Sequence, residues 1–144
     1  MRKTNYDHTL EYMLLFRRII RAYDEHMAKA LADVRLTPNE IATLALIDGK
    51  TTTSAIAKRN EVSKALVSRS IKCLSDSGYV TMTQSDVDKR ELILTPTESG
   101  ERLKKLIDLE GERSAAAALK DFDEDRKNAL RILLMLVIRG YEGK

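Results

Sequence analysis

The chain has 144 residues, of which 43% are apolar, 33% charged and 5% aromatic, with two prolines and no tryptophan. That length fits one domain, or one domain with an appended oligomerisation element, and the balance excludes a disordered chain and favours helices over a β-rich architecture. A formal net charge of +3 names no partner by its size, so its distribution carries the weight. The longest apolar run, Ile132 to Ile138, is far too short to span a bilayer. Arg2 and Lys3 are followed by Asn5, Asp7, His8 and Glu11 with no apolar stretch, so no signal peptide is expected. A single cysteine rules out an intramolecular disulfide and suits a reducing compartment, which makes the cytoplasm the expected location.

From about Leu10 to Ala32 apolar residues recur at helical spacing through Met13, Phe16, Ile20, Tyr23, Met27 and Leu31, which predicts one long amphipathic helix. A second helix follows. Thr37 is a good N-cap, Pro38 fits the first helical position and Glu40 completes a capping box; the helix should run to about Ile47 and stop near Gly49. Thr51–Thr53 can pair briefly as a strand or cap a short helix from about Ser54 to Arg59. Asn60-Glu61 makes a turn over a buried Val62, Ser63 caps a helix from Lys64 to Asp76, and Gly78 ends it. Tyr79–Gln84 and Glu91–Thr95 are rich in β-formers around the polar tip Ser85–Arg90, which predicts a hairpin. Thr97 caps a long helix to about Leu119, with Gly111 as a weak point or bend, and Asp121 or Asp123 begins the last helix.

A short helix, a turn, a longer Ser/Lys/Arg-faced helix and a hairpin make the layout of a winged helix-turn-helix, which sets a helix in the DNA major groove and a hairpin along the adjacent backbone or minor groove. The fold class expected is mainly α with a small β-hairpin: a winged helix-turn-helix DNA-binding domain over 37–105 and a helical dimerisation region over 1–36 and 106–144. Charge agrees with this placement. Residues 50–105 carry eleven basic and seven acidic side chains, against seven and seven before them and seven and eight after. Ile132–Ile138 is apolar almost all the way round, more than one helical stripe needs; a second subunit or a fully buried position within the chain would cover it. A homodimer is the expectation, because two-fold proteins meet palindromic DNA sites.

On the Lys64–Asp76 helix, Val67, Ile71 and Leu74 share one face and should pack inward. The opposite face offers Lys64, Ala65, Ser68, Arg69 and Lys72. Ser63 and Ser68 hydroxyls and the first amides of the helix can donate to phosphate, Lys64 is a point charge, and Arg69 can fork onto a guanine edge or a phosphate. Ala65 and Leu66 can meet thymine methyls. The competing interpretation is a solvated charged face with no partner; the flanking short helix and hairpin weigh against it. At the hairpin tip, Asp88, Lys89 and Arg90 complete the set, with Arg90 able to reach a narrow minor groove and Asp88 spaced to hold it.

Three segments carry a more specific match: LTPNEIATLALI, SAIAKRNEVSKALVSRSIKCLSDSGYV and DKRELILTPTESGERL. Together they resemble the MarR family of transcriptional regulators over essentially the whole chain, the last segment being similar to that family's Asp-x-Arg wing and its Thr-x-x-Gly helix start. Pro96 departs from the pattern, standing where leucine is usual before Thr97. The resemblance implies a six-helix winged-helix homodimer with interlocking terminal helices, and repression through palindromic sites in double-stranded DNA. It also implies relief of repression by small aromatic anions or oxidants, and it matches Ser68 and Arg69 to recognition-helix positions and Asp88 and Arg90 to the wing motif. Effector contacts implied by analogy are Tyr12, Phe16, Arg17, Tyr23 and Leu44, all of which serve equally as core or dimer contacts.

Cys73 lies in the recognition helix, whereas oxidant sensors of the family usually place their reactive cysteine near the first helix. An isolated cysteine without an activating neighbour is usually inert. His8 and His26 are five helical turns apart and cannot share a metal, so no metal or other cofactor is expected. Neither a Gly-rich phosphate loop nor a nucleophile motif is present, so no enzymatic activity is expected. The alternatives are a winged-helix protein-interaction module without DNA binding, and an ArsR-type metal sensor, which would want Cys/His clusters that the chain lacks.

Overall fold

The computed structural model describes residues 5–143, with side chains from Leu10 onward; Arg2, Lys3 and the His8 side chain lie outside the described residues. Among these residues run six α-helices and one hairpin: α1 (Asn5–Ala30), α2 (Pro38–Ala45), α3 (Thr53–Asn60), α4 (Lys64–Asp76), β1 (Val80–Gln84), β2 (Leu92–Pro96), α5 (Glu98–Ala118) and α6 (Glu124–Glu142). The chain divides into two compact units, Met1–Gly111 and Glu112–Lys144.

In the first unit, capping chemistry sets most boundaries. Thr37 and Glu40 form a reciprocal capping box: the Thr37 hydroxyl accepts from the Glu40 amide at 3.2 Å, and Glu40 Oε2 accepts from the Thr37 amide at 2.6 Å. The helix closes at Ala45, two residues short of the expected Ile47. There the Leu46 and Ile47 amides donate three residues back, to Thr43 and Leu44, tightening the last turn. Thr52 fulfils both roles open to its segment. Its side chain accepts from the Ala55 amide to cap α3, while its backbone makes an isolated antiparallel bridge to Ile93 beside the hairpin. Between α3 and α4 the chain turns through Glu61 in the left-handed region at φ 54°, and Val62 is half-buried against the core.

The α4 span is the one expected, from the Ser63 cap to Asp76, followed by Gly78 at φ 82°. β1 and β2 pair antiparallel with Val80 opposite Pro96 and Gln84 opposite Leu92. Pro96 thus occupies the last rung of a two-stranded ribbon, a position that a residue without an N–H tolerates. Thr97 then ties the end of the hairpin to the end of α4. Its hydroxyl donates to the Gly78 carbonyl at 2.6 Å and accepts from the Gly100 amide, and its own amide donates to the Tyr79 carbonyl. A Cβ at Gly100 would sit inside van der Waals contact of that Tyr79 carbonyl oxygen, which gives the Thr-x-x-Gly segment a steric reason. α5 runs unbroken through Gly111.

The core draws on every one of these elements. Met27 and Leu31 from the end of α1 join Ile41, Leu44 and Ile47, Ile56 and Ala57, Val67, Ile71 and Leu74, Val80, Leu94, Leu103 and Ile107. Lys104 of α5 donates its ammonium to the Ile47 carbonyl, satisfying a backbone acceptor left free past the end of α2. The end of α1 therefore contributes to the same core as the helices and strands after residue 36.

In the second unit, Asp123 rather than Asp121 caps α6, because its Oδ1 accepts from the Arg126 amide at 2.8 Å. No residue of α6 is buried, and Ile132 through Ile138 are all exposed.

Candidate nucleic-acid interface

α4 owes its two faces to its sequence. Val67, Ile71 and Leu74 are 1%, 3% and 0% exposed, joined by a buried Ser70. The remaining face presents Lys64, Ala65, Ser68, Arg69 and Lys72, all exposed, with Ser63 exposed at its head. The Ser63 hydroxyl accepts from the Leu66 amide at 3.1 Å, so its proton is left to donate to an incoming acceptor. The first turn of the helix adds amides without intrahelical partners and the positive end of its dipole. Leu66 stands apart from the others. It is half-buried and lines a small crevice with Ala42, Val62 and Asn60, turned partly away from the open face.

The hairpin tip is held by its own side chains. Ser85 Oγ accepts from the Val87 and Asp88 amides, the Ser85 amide donates to the Glu91 carbonyl, and the Gln84 amide nitrogen donates to the Lys89 carbonyl at 2.7 Å. Asp88 Oδ1 accepts from both the backbone amide and Nε of Arg90, at 3.0 and 3.2 Å. Sequence spacing alone suggested that pairing, and the structure contains it. Arg90 is nevertheless 92% exposed, so its terminal guanidinium nitrogens remain open while its root is fixed. Lys89 is likewise exposed.

One residue the sequence did not point to is Glu91. Its Oε1 accepts from Ser54 Oγ at 2.9 Å and pairs with Lys64 Nζ at 3.6 Å, joining the tip end of the wing to the first turns of α3 and α4. Its partners lie 37 and 27 residues earlier in the chain, and no periodicity signals such a triangle.

Cys73 lies half-buried on the flank of α4. Its thiol is hydrogen-bonded to the Glu40 carboxylate, which together with burial raises its pKa above the ordinary thiol value. Burial pushes Glu40 upward too, but the hydrogen bonds from Cys73 and Thr37 prevail and its pKa is lowered. A thiol facing a carboxylate is kept protonated, which is the opposite of the environment that makes cysteine reactive. Among the described residues no group of three or more His, Cys, Asp or Glu is placed to hold a metal ion, and no helix is long and apolar enough to cross a membrane.

The five effector candidates do not converge. Leu44 is fully buried in the core. Tyr23 lines a crevice of about 140 Å³ with Asp24, Met27, Leu36, Ile41 and Ile107, while Arg17 borders a more open neighbouring groove with Arg21 and Asp24. Tyr12 is 61% exposed on α1 and Phe16 is half-buried.

Comparison with known proteins agrees with this geometry. Residues 35–91 match the model of the MarR family. An uncharacterized HTH-type transcriptional regulator of Bacillus subtilis (strain 168), YybA, is 30% identical over 87 residues, 60% of this chain; the chain spans 58% of the length of that relative. A SlyA-like transcription regulator from Listeria monocytogenes superposes with a TM-score of 0.78 at 26% identity, over 98% of this chain and 90% of that one. The S. aureus MepR–DNA complex superposes at 0.82 and 18% identity, over 90% and 97%, and at that identity it speaks for the fold alone. The similarity to the MarR family thus rests on residues 35–91, the segment that carries α2, α3, α4 and the wing tip.

Proposed function

We propose that the protein is a sequence-specific DNA-binding transcriptional regulator that acts as a repressor, binding a palindromic operator as a homodimer. The carrying observation is the open face of α4 beside a wing whose arginine is rooted by Asp88 and free at its tip. Ser63 and Lys72 serve as phosphate contacts, with Ser68 and Arg69 placed for base edges and Ala65 for thymine methyls. Lys89 and Arg90 reach the adjacent groove. That MepR is seen on DNA supports this assignment by fold.

The homodimer follows from two exposed apolar faces. α1 leaves Leu10, Leu14, Leu15, Ile19 and Ile20 open, and α6 leaves Ile132 through Ile138 and Tyr141 open. Faces of that size are costly in water and are covered in oligomers. A small aromatic effector suits the apolar crevice that Tyr23 borders. The regulator works in the cytoplasm and performs no catalysis.

Selection from a random duplex library tests the proposal. The expected product is an inverted repeat whose half-sites lie about 10–10.5 base pairs apart, or a multiple of that, facing one rotational dyad. Recovery of no enriched sequence contradicts it.

A further inference from the structure

Glu91 reaches across from the wing to Lys64 on the face assigned to DNA. Its backbone closes the hairpin tip, the amide donating to the Asp88 carbonyl at 2.9 Å and the carbonyl accepting from Ser85 at 3.0 Å. Its side chain reaches to the first turns of α3 and α4, where Oε1 is shared by the Ser54 hydroxyl at 2.9 Å and the Lys64 ammonium at 3.6 Å. Ser54 matters here. A surface ion pair is usually weak because two flexible chains must be ordered together. Glu91 is only 24% exposed and already fixed by Ser54, so Lys64 alone has to be ordered. Lys64, still 59% exposed, then sits with its charge compensated at the head of α4.

Resting on the DNA-binding function proposed above, we propose that Glu91 is a positioning residue that holds Lys64 against the tip end of the wing and withholds its charge from the DNA backbone. Lys64 thereby acts as a brace between recognition helix and wing, and the protein neutralises one phosphate fewer than its exposed lysines suggest. Nonspecific affinity falls, and base contacts from Arg69 carry a larger share of the binding.

Counterion release makes this measurable, because each neutralised phosphate adds about 0.9 to the slope of log affinity against log salt. The probe is a fluorescein-labelled mixed-sequence duplex, read by anisotropy at several salt concentrations with wild type, Glu91→Gln, Lys64→Ala and the double variant. Glutamine keeps an acceptor for Ser54 and discards the charge that holds Lys64. Glu91→Gln is expected to bind more tightly at low salt and to steepen the slope by about 0.9, which is a roughly 3.5-fold greater loss of affinity between about 50 and about 200 mM salt. Lys64→Ala alone should leave the slope near that of wild type, and the double variant should match Lys64→Ala. A slope for Glu91→Gln equal to wild type overturns the proposal, and so does a steepening that persists without Lys64, since that is a general field effect. Thermal melting of each variant shows whether it is folded; if Glu91→Gln is not, a slope one phosphate shallower for Lys64→Ala still overturns the proposal. Wild type that ignores the duplex at low salt removes the DNA-binding function itself, an outcome distinct from both.

Discussion

The two units of the chain differ in how much of their apolar surface they enclose. Up to Gly111, residues from α1 through α5 and both strands bury one another in a single cluster, with Leu44, Ile47, Ile56, Leu74 and Leu94 wholly enclosed. From Glu112 onward, α6 has a rooted N-cap and complementary acidic residues in its first turn but no buried residue at all. Helix-forming signals are good in both, so local propensity is not what separates them. The difference lies in packing: the first unit encloses a core of its own although the outer face of α1 stays exposed, whereas α6 encloses none. A helix of 19 residues gains little from propensity alone in water, and most helical stability comes from an apolar face that is covered.

The contrast can be broken from either side. Leu44→Ala opens a cavity in an enclosed core and should cost the first unit about 2–5 kcal/mol in denaturant unfolding, with the oligomeric state unchanged while the protein is folded. Replacing Leu133 and Leu136 of α6 by glutamate should do the reverse. Sedimentation should then show a monomer, with reduced affinity for duplex DNA, because two linked half-sites are no longer engaged together. A Leu133→Glu/Leu136→Glu protein that remains dimeric would place the subunit contact elsewhere.

How legible each unit was follows from the same division. Where a few neighbouring residues decide the outcome, the sequence was sufficient: the Thr37–Glu40 capping box, the α4 span from Ser63 to Asp76, and the Asp88–Arg90 contact within the wing. The strands β1 and β2 each begin one residue later than expected, and α2 stops short, because hydrogen bonding at element ends depends on the tertiary neighbours. Distance in sequence hid the rest. Met27 and Leu31 read as part of an oligomerisation helix, yet they pack on α2 and α5 residues that only folding brings near. The Ser54–Glu91–Lys64 triangle and the Glu40–Cys73 contact each join elements more than 25 residues apart in the chain, and no local pattern announces either. For the face of α4, spacing showed which residues point away from the core, but not that Leu66 is drawn half into a crevice.

A smaller effect sharpens the comparison on the side of the first unit. Asp48, just past α2, accepts from the Thr51 hydroxyl at 2.6 Å and from the Lys50 and Thr51 amides, and these bonds hold its pKa down to about 2. A carboxyl depressed on folding contributes stability that is complete above its unfolded value near 4 and is lost as pH falls toward 2. Asp48→Asn should therefore lower stability at neutral pH, with the gap to wild type closing as pH falls from about 4 toward 2, so that the acid limb of its stability curve is flatter. Melting curves between about pH 2 and pH 5 would reveal it; an acid limb identical to wild type would show that the Asp48 turn does not contribute.

The central claim is that the recognition face of α4 and the wing tip grip double-stranded DNA. Equilibrium anisotropy with a duplex recovered by selection, comparing wild type with Arg69→Ala/Arg90→Ala, tests it most directly. Each arginine that contacts a base edge or groove is worth about 1–3 kcal/mol, so the double variant should lose affinity by about thirtyfold or more while its melting temperature stays that of the wild type. Undiminished affinity in a folded double variant would contradict the claim.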